Sequence, residues 1–326
     1  MVSAPSAERS VPAPLAEPTR RPDGAASRAI FGPRPPAPLR LDRPGLSLAV
    51  LSAVTWSLAG VWVRLLPGVP LATIVAGRMA LALAVLAPLI WLRRRDLGRA
   101  DAAAWALAAL MAGYYVAAVA AFRLAPVAEA TLFVNASPLF AVAWALAWRE
   151  PLSRAQLAGT ALALAGVAVI VLPGLLSSAD ADRQRLLGDA LALVAAAGMA
   201  AYAVAFQRLG DRAPLPLLVT TQAFALGAVA LAASSAVLGA EAYAGLDGAR
   251  SWGALIALAA VTTAIPTLAF STASRRLSAV VATTVRLLTP AFAAVAAWLA
   301  LGEAPSEWAV LGGALVVVGL VWSLRG

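Results

Sequence analysis

From Leu46 onward the chain alternates between long apolar stretches and short charged connectors. Ten stretches stand out: 46–66, 70–92, 103–122, 126–148, 155–173, 187–207, 214–238, 252–270, 278–301 and 305–324. Each is close to the roughly 20 residues that a helix needs to cross about 30 Å of hydrocarbon. Spanning strands would show alternation over only about 9–11 residues, and no alternation is visible. Helices of a soluble core would keep a polar face, which these stretches lack. The pattern predicts an all-α integral membrane protein with ten transmembrane helices.

Residues 1–44 follow another rule. Stretches such as "PAPLAEPTRRPDG" and "FGPRPPAPLR" are rich in Pro and Arg and carry no apolar period. Such a segment cannot bury enough surface to fold, so a disordered tail is expected. It holds no compact apolar core with a small-residue cleavage site, and so is not read as a signal peptide.

Composition agrees with a lipid solvent. Of 326 residues 62% are hydrophobic and 13% charged, against about 45–50% and about 25% in soluble domains. Cys and His are both absent. That excludes disulfides and thiolate metal sites, and removes the commonest metal ligand and general base. No metal or cofactor is therefore expected. With no acidic pair at membrane depth either, an enzyme is disfavoured. A channel is disfavoured too, because no filter motif is visible.

All 25 basic residues are Arg, which with the Ala content suggests a GC-rich genome. Their placement matters more than the net charge of +9. With the N-terminus in the cytoplasm, 18 arginines fall on inside segments and five on outside ends. The positive-inside rule then predicts both termini cytoplasmic. The basic balance is explained by topology, and nucleic-acid binding needs no hypothesis. Trp91, Trp148, Trp252 and Trp308 end their stretches and read as interfacial anchors.

The chain also repeats. "GLSLAVLSAVTWSLAGVWVRL" from Gly45 parallels "GDALALVAAAGMAAYAVAFQRL" from Gly188. From Ser137 and Thr289, Pro138 matches Pro290, Glu150 matches Glu303, Gly159 matches Gly312 and Gly166 matches Gly319. Two five-helix units result, 45–173 and 187–325. Five is odd, so the second unit is inverted. Charge agrees, since the connector 93–101 holds four arginines and its counterpart near 239–251 holds one. Inverted repeats are a mark of secondary transporters that rock about a midplane site. The four glycines read as close helix packing.

The Gly-Asp start, the "SP" helix ending in Glu and the "LAG" helix resemble the EamA-type unit of the drug/metabolite transporter superfamily. Arg78 in "AGRMALALAV" resembles an arginine common in the second helix of that unit. The resemblance covers 45–325. It implies a ten-helix metabolite carrier, with export common, in a bacterial inner membrane. Second units of the family often carry Glu before the proline of the ninth helix; here Thr289 stands there, with Arg286 one turn earlier.

Arg78 and Arg286 lie within spans, where a guanidinium is costly and must face protein or water. Two readings follow: a snorkelled or carbonyl-paired structural arginine, or one that meets the carboxylate or phosphate of a cargo. No Asp or Glu lies mid-span; Glu129 and Asp189 read as first-turn acids serving helix dipoles. With no proton relay, facilitated diffusion or exchange is expected, Glu129 being the candidate if a proton is used. Pro138, Pro266 and Pro290 should kink their helices and free the carbonyls of Val134, Thr262 and Arg286. Trp56, Tyr114, Asn135, Tyr202, Gln222 and Thr262 complete the candidate cavity lining. Gln222 occupies the place of Arg78 in the second unit, and Tyr202 lies near Met199, the counterpart of Trp56. The expected partners are a small metabolite, amino acid or organic anion, and the bilayer; a homodimer is compatible with this reading. The alternative is a lipid or lipid-linked sugar flippase, which a lateral opening between helices would favour.

Overall fold

The computed structural model describes residues 42–125, 127–177, 183–301 and 306–325. Residues 1–41 of the tail expected to be disordered lie outside them, as does Glu303. Helix accounts for nearly all of the described chain, with no strand among the described residues. Among the described residues, six helices are long and apolar enough to cross a membrane: Arg43–Val63, Leu71–Arg93, Ala102–Ala121, Arg183–Arg212, Pro216–Tyr243 and Ala249–Arg276. Ser137–Ala147, Arg154–Ile170, Ala279–Ala293 and Val310–Leu324 are apolar but shorter.

The first helix begins earlier than the tail boundary suggests. Asp42 caps α1 (Arg43–Ser57) through a bond from the Gly45 N–H at 3.2 Å, and Pro44 is tolerated in the first turn. The run then breaks at Leu58 and resumes as α2 (Ala59–Arg64). No proline marks that break. Ser52, Thr55 and Ser57 all donate side-chain hydroxyls to carbonyls three or four residues back, a habit that bends helices.

Next come α3 (Leu71–Arg93), which carries Pro88 inside it, and α4 (Ala102–Leu124), capped by Asp101. The fourth apolar run is split into α5 (Val127–Val134) and α6 (Ser137–Ala147), with Pro138 in the first turn of α6. Then α7 (Arg154–Ser177) closes the first unit. In the second unit α8 (Arg183–Leu209) is unbroken and starts well before residue 187. Asp189 therefore sits in its second turn, not its first, which corrects the dipole role read from sequence.

Pro216–Leu238 forms α9. The eighth run comprises α10 (Ala249–Ala259), a π-helical turn (Ala260–Ala264) and α11 (Ile265–Arg276). The ninth is split into α12 (Ala279–Val285) and α13 (Leu288–Leu301), and α14 (Glu307–Leu324) ends the described chain. The breaks at 135–136 and 286–287 thus fall at matching places in the two repeats.

Packing couples the units. α14 lies along α7, α8 along α4, α9 along α3, and α11 along α1. The α7–α14 seam is made by the four paired glycines. A Cβ on Gly166 would stand 2.6 Å from the Gly312 carbonyl oxygen, and one on Gly159 would stand 2.5 Å from that of Gly319. Without side chains the two backbones touch, the small-residue contact that replaces hydrophobic attraction in lipid.

Candidate functional site: two buried arginines among aromatic rings

The two intramembrane arginines are both buried, Arg78 at 7% and Arg286 at 3% exposure, but they are held differently. Arg78 projects from α3 onto the π turn. Its Nε donates to Thr263 Oγ1 at 2.7 Å and its Nη2 to the Thr262 carbonyl at 2.8 Å. That carbonyl is the one Pro266 cannot serve, because proline has no N–H. Thr262 and Thr263 both turn their hydroxyls to the Leu258 carbonyl, at 2.7 and 2.9 Å. The π turn is thus explained: missing backbone donor, back-bonding threonines and an incoming guanidinium all coincide. Here the carbonyl-paired arrangement is observed.

The Tyr115 ring lies 5.0 Å from the Arg78 guanidinium carbon. Its oxygen accepts from Trp56 Nε1 at 3.3 Å and pairs with Thr267 Oγ1 at 2.8 Å. Since Thr267 donates its own hydrogen to the Thr263 carbonyl, Tyr115 is the donor to Thr267. Trp56 is in turn the bridge to the second arginine.

Arg286 ends α12 and sits at the helix break. Its Nη2 donates to Tyr114 Oη at 2.9 Å and its Nη1 to Ser137 Oγ at 3.4 Å. Three ring faces surround the guanidinium carbon: Trp56 at 4.9 Å, Tyr114 at 5.3 Å and Phe270 at 5.6 Å. Each such contact is worth about 0.5–2 kcal/mol. Its Nε is buried with no partner among the described residues. No carboxylate pairs with either arginine there. The Arg286 carbonyl is not left free as Pro290 alone would imply: the chain tightens after it, and the Thr289 N–H donates back at 2.9 Å.

The other sequence candidates spread around this pair. Tyr202 is fully buried, bonds Ser271 Oγ at 2.5 Å and stacks on Phe270 with centroids 6.2 Å apart. Asn135 lies at the α5–α6 break, where its side-chain amide donates to the Thr131 carbonyl at 2.9 Å. Gln222 is buried on α9 with neither amide atom partnered among the described residues. Tyr114 and Trp56 are brought to Arg286, while Thr262 goes to Arg78. Nothing is described for the side chain of Glu129. Sequence reading missed Tyr115, Phe270, Ser137, Thr263 and Thr267. A second Tyr directly after Tyr114, and the density of Thr before Pro266, were the available signals.

A further polar cluster closes the end of the bundle where Asp42 lies. Arg208, 4% exposed, donates to Glu150 at 2.8 Å and lies 3.7 Å over the Trp148 ring. Gln207 donates to the same carboxylate at 3.3 Å and accepts from the Ala279 N–H at 2.7 Å. Arg276 pairs with Asp42 at 3.3 Å. Trp148, read as a lipid-interface anchor, is half-buried and packs between Trp144 and this guanidinium. Trp91, Trp252 and Trp308 are exposed.

Comparison with known proteins bears on the fold and the family. No curated protein matches the chain significantly, while 27 chains of known structure do. One of them, described only as "Crystal structure of protein", superposes with a TM-score of 0.72 over 85% of this chain and 95% of its own, at 22% identity, which establishes the shared fold. The EamA-like transporter family matches twice, over residues 43–172 and 186–325, once for each repeat. The chain belongs to the EamA-like transporter family.

Proposed function

We propose that the protein is a secondary carrier that moves a small anionic or zwitterionic metabolite across a bacterial inner membrane, in the direction of export. The ten apolar runs act as ten crossings with both termini cytoplasmic, which the arginine bias of the connectors supports. Arg286 binds the cargo, and Arg78 holds the π turn in place. One observation carries this reading: a buried guanidinium with an unpartnered Nε stands where two broken helices from opposite repeats meet. Burying a cation costs several kcal/mol unless it is paired. Rings and hydroxyls offset part of that cost, and an anion that comes and goes offsets the rest. Trp56, Tyr114, Tyr202, Asn135 and Gln222 line the path.

Purified protein in liposomes, screened by counterflow with amino acids and organic anions, tests this. Saturable exchange of at least one carboxylate is expected. No exchange across the whole panel would end the reading.

A second reading, movement of a lipid or lipid-linked sugar, has one observation in its favour. A groove of about 450 Å³ runs between α3, α4 and α9, lined by Leu71, Val75, Met79, Val116 and Leu226 among others. Its wall is almost wholly apolar and could take an acyl chain. Dithionite quenching of fluorescent lipids in the same liposomes decides it: a rate equal to that of protein-free vesicles removes the flippase.

A further inference from the structure

The carrier reading leaves open what accompanies the carboxylate. The local electrostatics bear on that choice. The ring faces of Trp56, Tyr114 and Phe270 are already turned on the Arg286 guanidinium. Those faces are the usual resting place for a ligand ammonium. α6 and α13 both begin beside this residue, and helix starts carry positive potential. No Asp or Glu lies mid-span in the sequence, and none pairs with Arg286 among the described residues. Among the described residues, a second cation placed here would meet one fixed positive charge, two positive helix starts and no carboxylate paired with the guanidinium.

Thr289 supplies a second donor. Hydroxyls in these spans usually donate to a carbonyl four residues back: Thr221 to Leu217, Thr272 to Leu268 and Thr283 to Ala279, at 2.7–2.8 Å. Thr289 does not. Its Oγ1 is buried without a partner among the described residues, a state shared with Ser274 and Ser323 in other helices. Thr289 is alone among these three in following Arg286 by three residues, in the first turn of α13. A buried hydroxyl left unpaired costs about 1–3 kcal/mol, and the unpartnered Nε of Arg286, three residues earlier and with its carbonyl accepting the Thr289 N–H at 2.9 Å, adds a similar cost.

From the carrier reading we infer that Arg286 Nε and Thr289 Oγ1 together form a carboxylate subsite that selects monoanions lacking an ammonium group, 2-oxo and 2-hydroxy acids over the matching amino acids. The forked guanidinium takes one carboxylate oxygen and the hydroxyl assists the other. Binding neutralises the pocket, whereas a zwitterion leaves its own positive charge unanswered.

The test is counterflow in proteoliposomes with matched labelled pairs: pyruvate and lactate against alanine, and 4-methyl-2-oxopentanoate against leucine. The anionic member of at least one pair should exchange about tenfold faster or more, which corresponds to about 1.4 kcal/mol. Thr289→Val should raise KM for that anion about tenfold with kcat little changed, and Thr289→Ser should restore it. Amino acids carried equally well or better, with Arg286→Leu inactive, would overturn the selectivity and leave the carrier reading standing. An unchanged KM in Thr289→Val would remove Thr289 from the subsite. Exchange of neither member of either pair, when other carboxylates exchange, would also overturn it.

Discussion

Arg78 Nη2 and the Thr262 carbonyl oxygen stand 2.8 Å apart, and this bond joins α3 to the π turn that precedes Pro266. The guanidinium supplies the donor that the proline ring removes. Arg78→Leu leaves the Thr262 carbonyl and a threonine hydroxyl without their donor, at about 1–3 kcal/mol for each buried group. Thermal unfolding in detergent should shift down by several degrees. Lys at this position should rescue only partly, since one ammonium cannot reproduce the fork to Thr263 and Thr262. An unchanged midpoint in Arg78→Leu would show that the bond does not hold the turn.

Arg208 and Glu150 should act as a unit. With Arg208 almost fully buried and the Glu150 side chain 26% exposed, removing either leaves its partner poorly solvated. A double-mutant cycle of Glu150→Gln and Arg208→Gln should give a coupling energy of about 1–3 kcal/mol. Strict additivity would mean that Trp148 and Gln207, not the ion pair, hold this end together.

The glycine seam makes a sharper contrast. A Cβ on Gly166 would meet a carbonyl oxygen and the Val316 nitrogen at 2.6 and 2.7 Å, while one on Gly113 meets nothing within 4 Å. Gly166→Leu should strongly reduce folded yield. Gly113→Ala should match wild type or gain up to about 1 kcal/mol from helix propensity. Equal yields of the two variants would contradict the packing of α7 against α14.

Much of this architecture was written in the apolar periodicity and in the paired prolines. Pro138 and Pro290 mark the two matched breaks, since a residue without an N–H cannot continue the ladder. The break at Leu58 was invisible because back-bonding Ser and Thr bend a helix without any local stop signal. Burial of Arg78 and Arg286 followed from their depth. Their different partners did not, because those come from segments about 150–185 residues away and depend on how the helices cross. The pairing of Arg208 with Glu150 was hidden for the same reason: each looks like an ordinary charge at a helix end.

Energy coupling gives a further expectation. The sequence has no His, and its ten apolar runs carry no Asp or Glu near their middles, so exchange without a coupled proton is the expectation. Counterflow of a fully ionised cargo should stay flat as external pH moves from about 5.5 to about 8, the window in which a histidine or a raised carboxyl would titrate. A steep requirement for a pH gradient would contradict exchange and point to Glu129.

The account turns on Arg286. Counterflow of the preferred carboxylate should be measured in liposomes for wild type and Arg286→Leu, with insertion matched by protease mapping and folding by the unfolding midpoint. The account predicts loss of exchange by a factor of about 100 or more in a correctly inserted, folded variant, in line with the loss of a buried charge-assisted contact to the cargo. Exchange at the wild-type rate would contradict it.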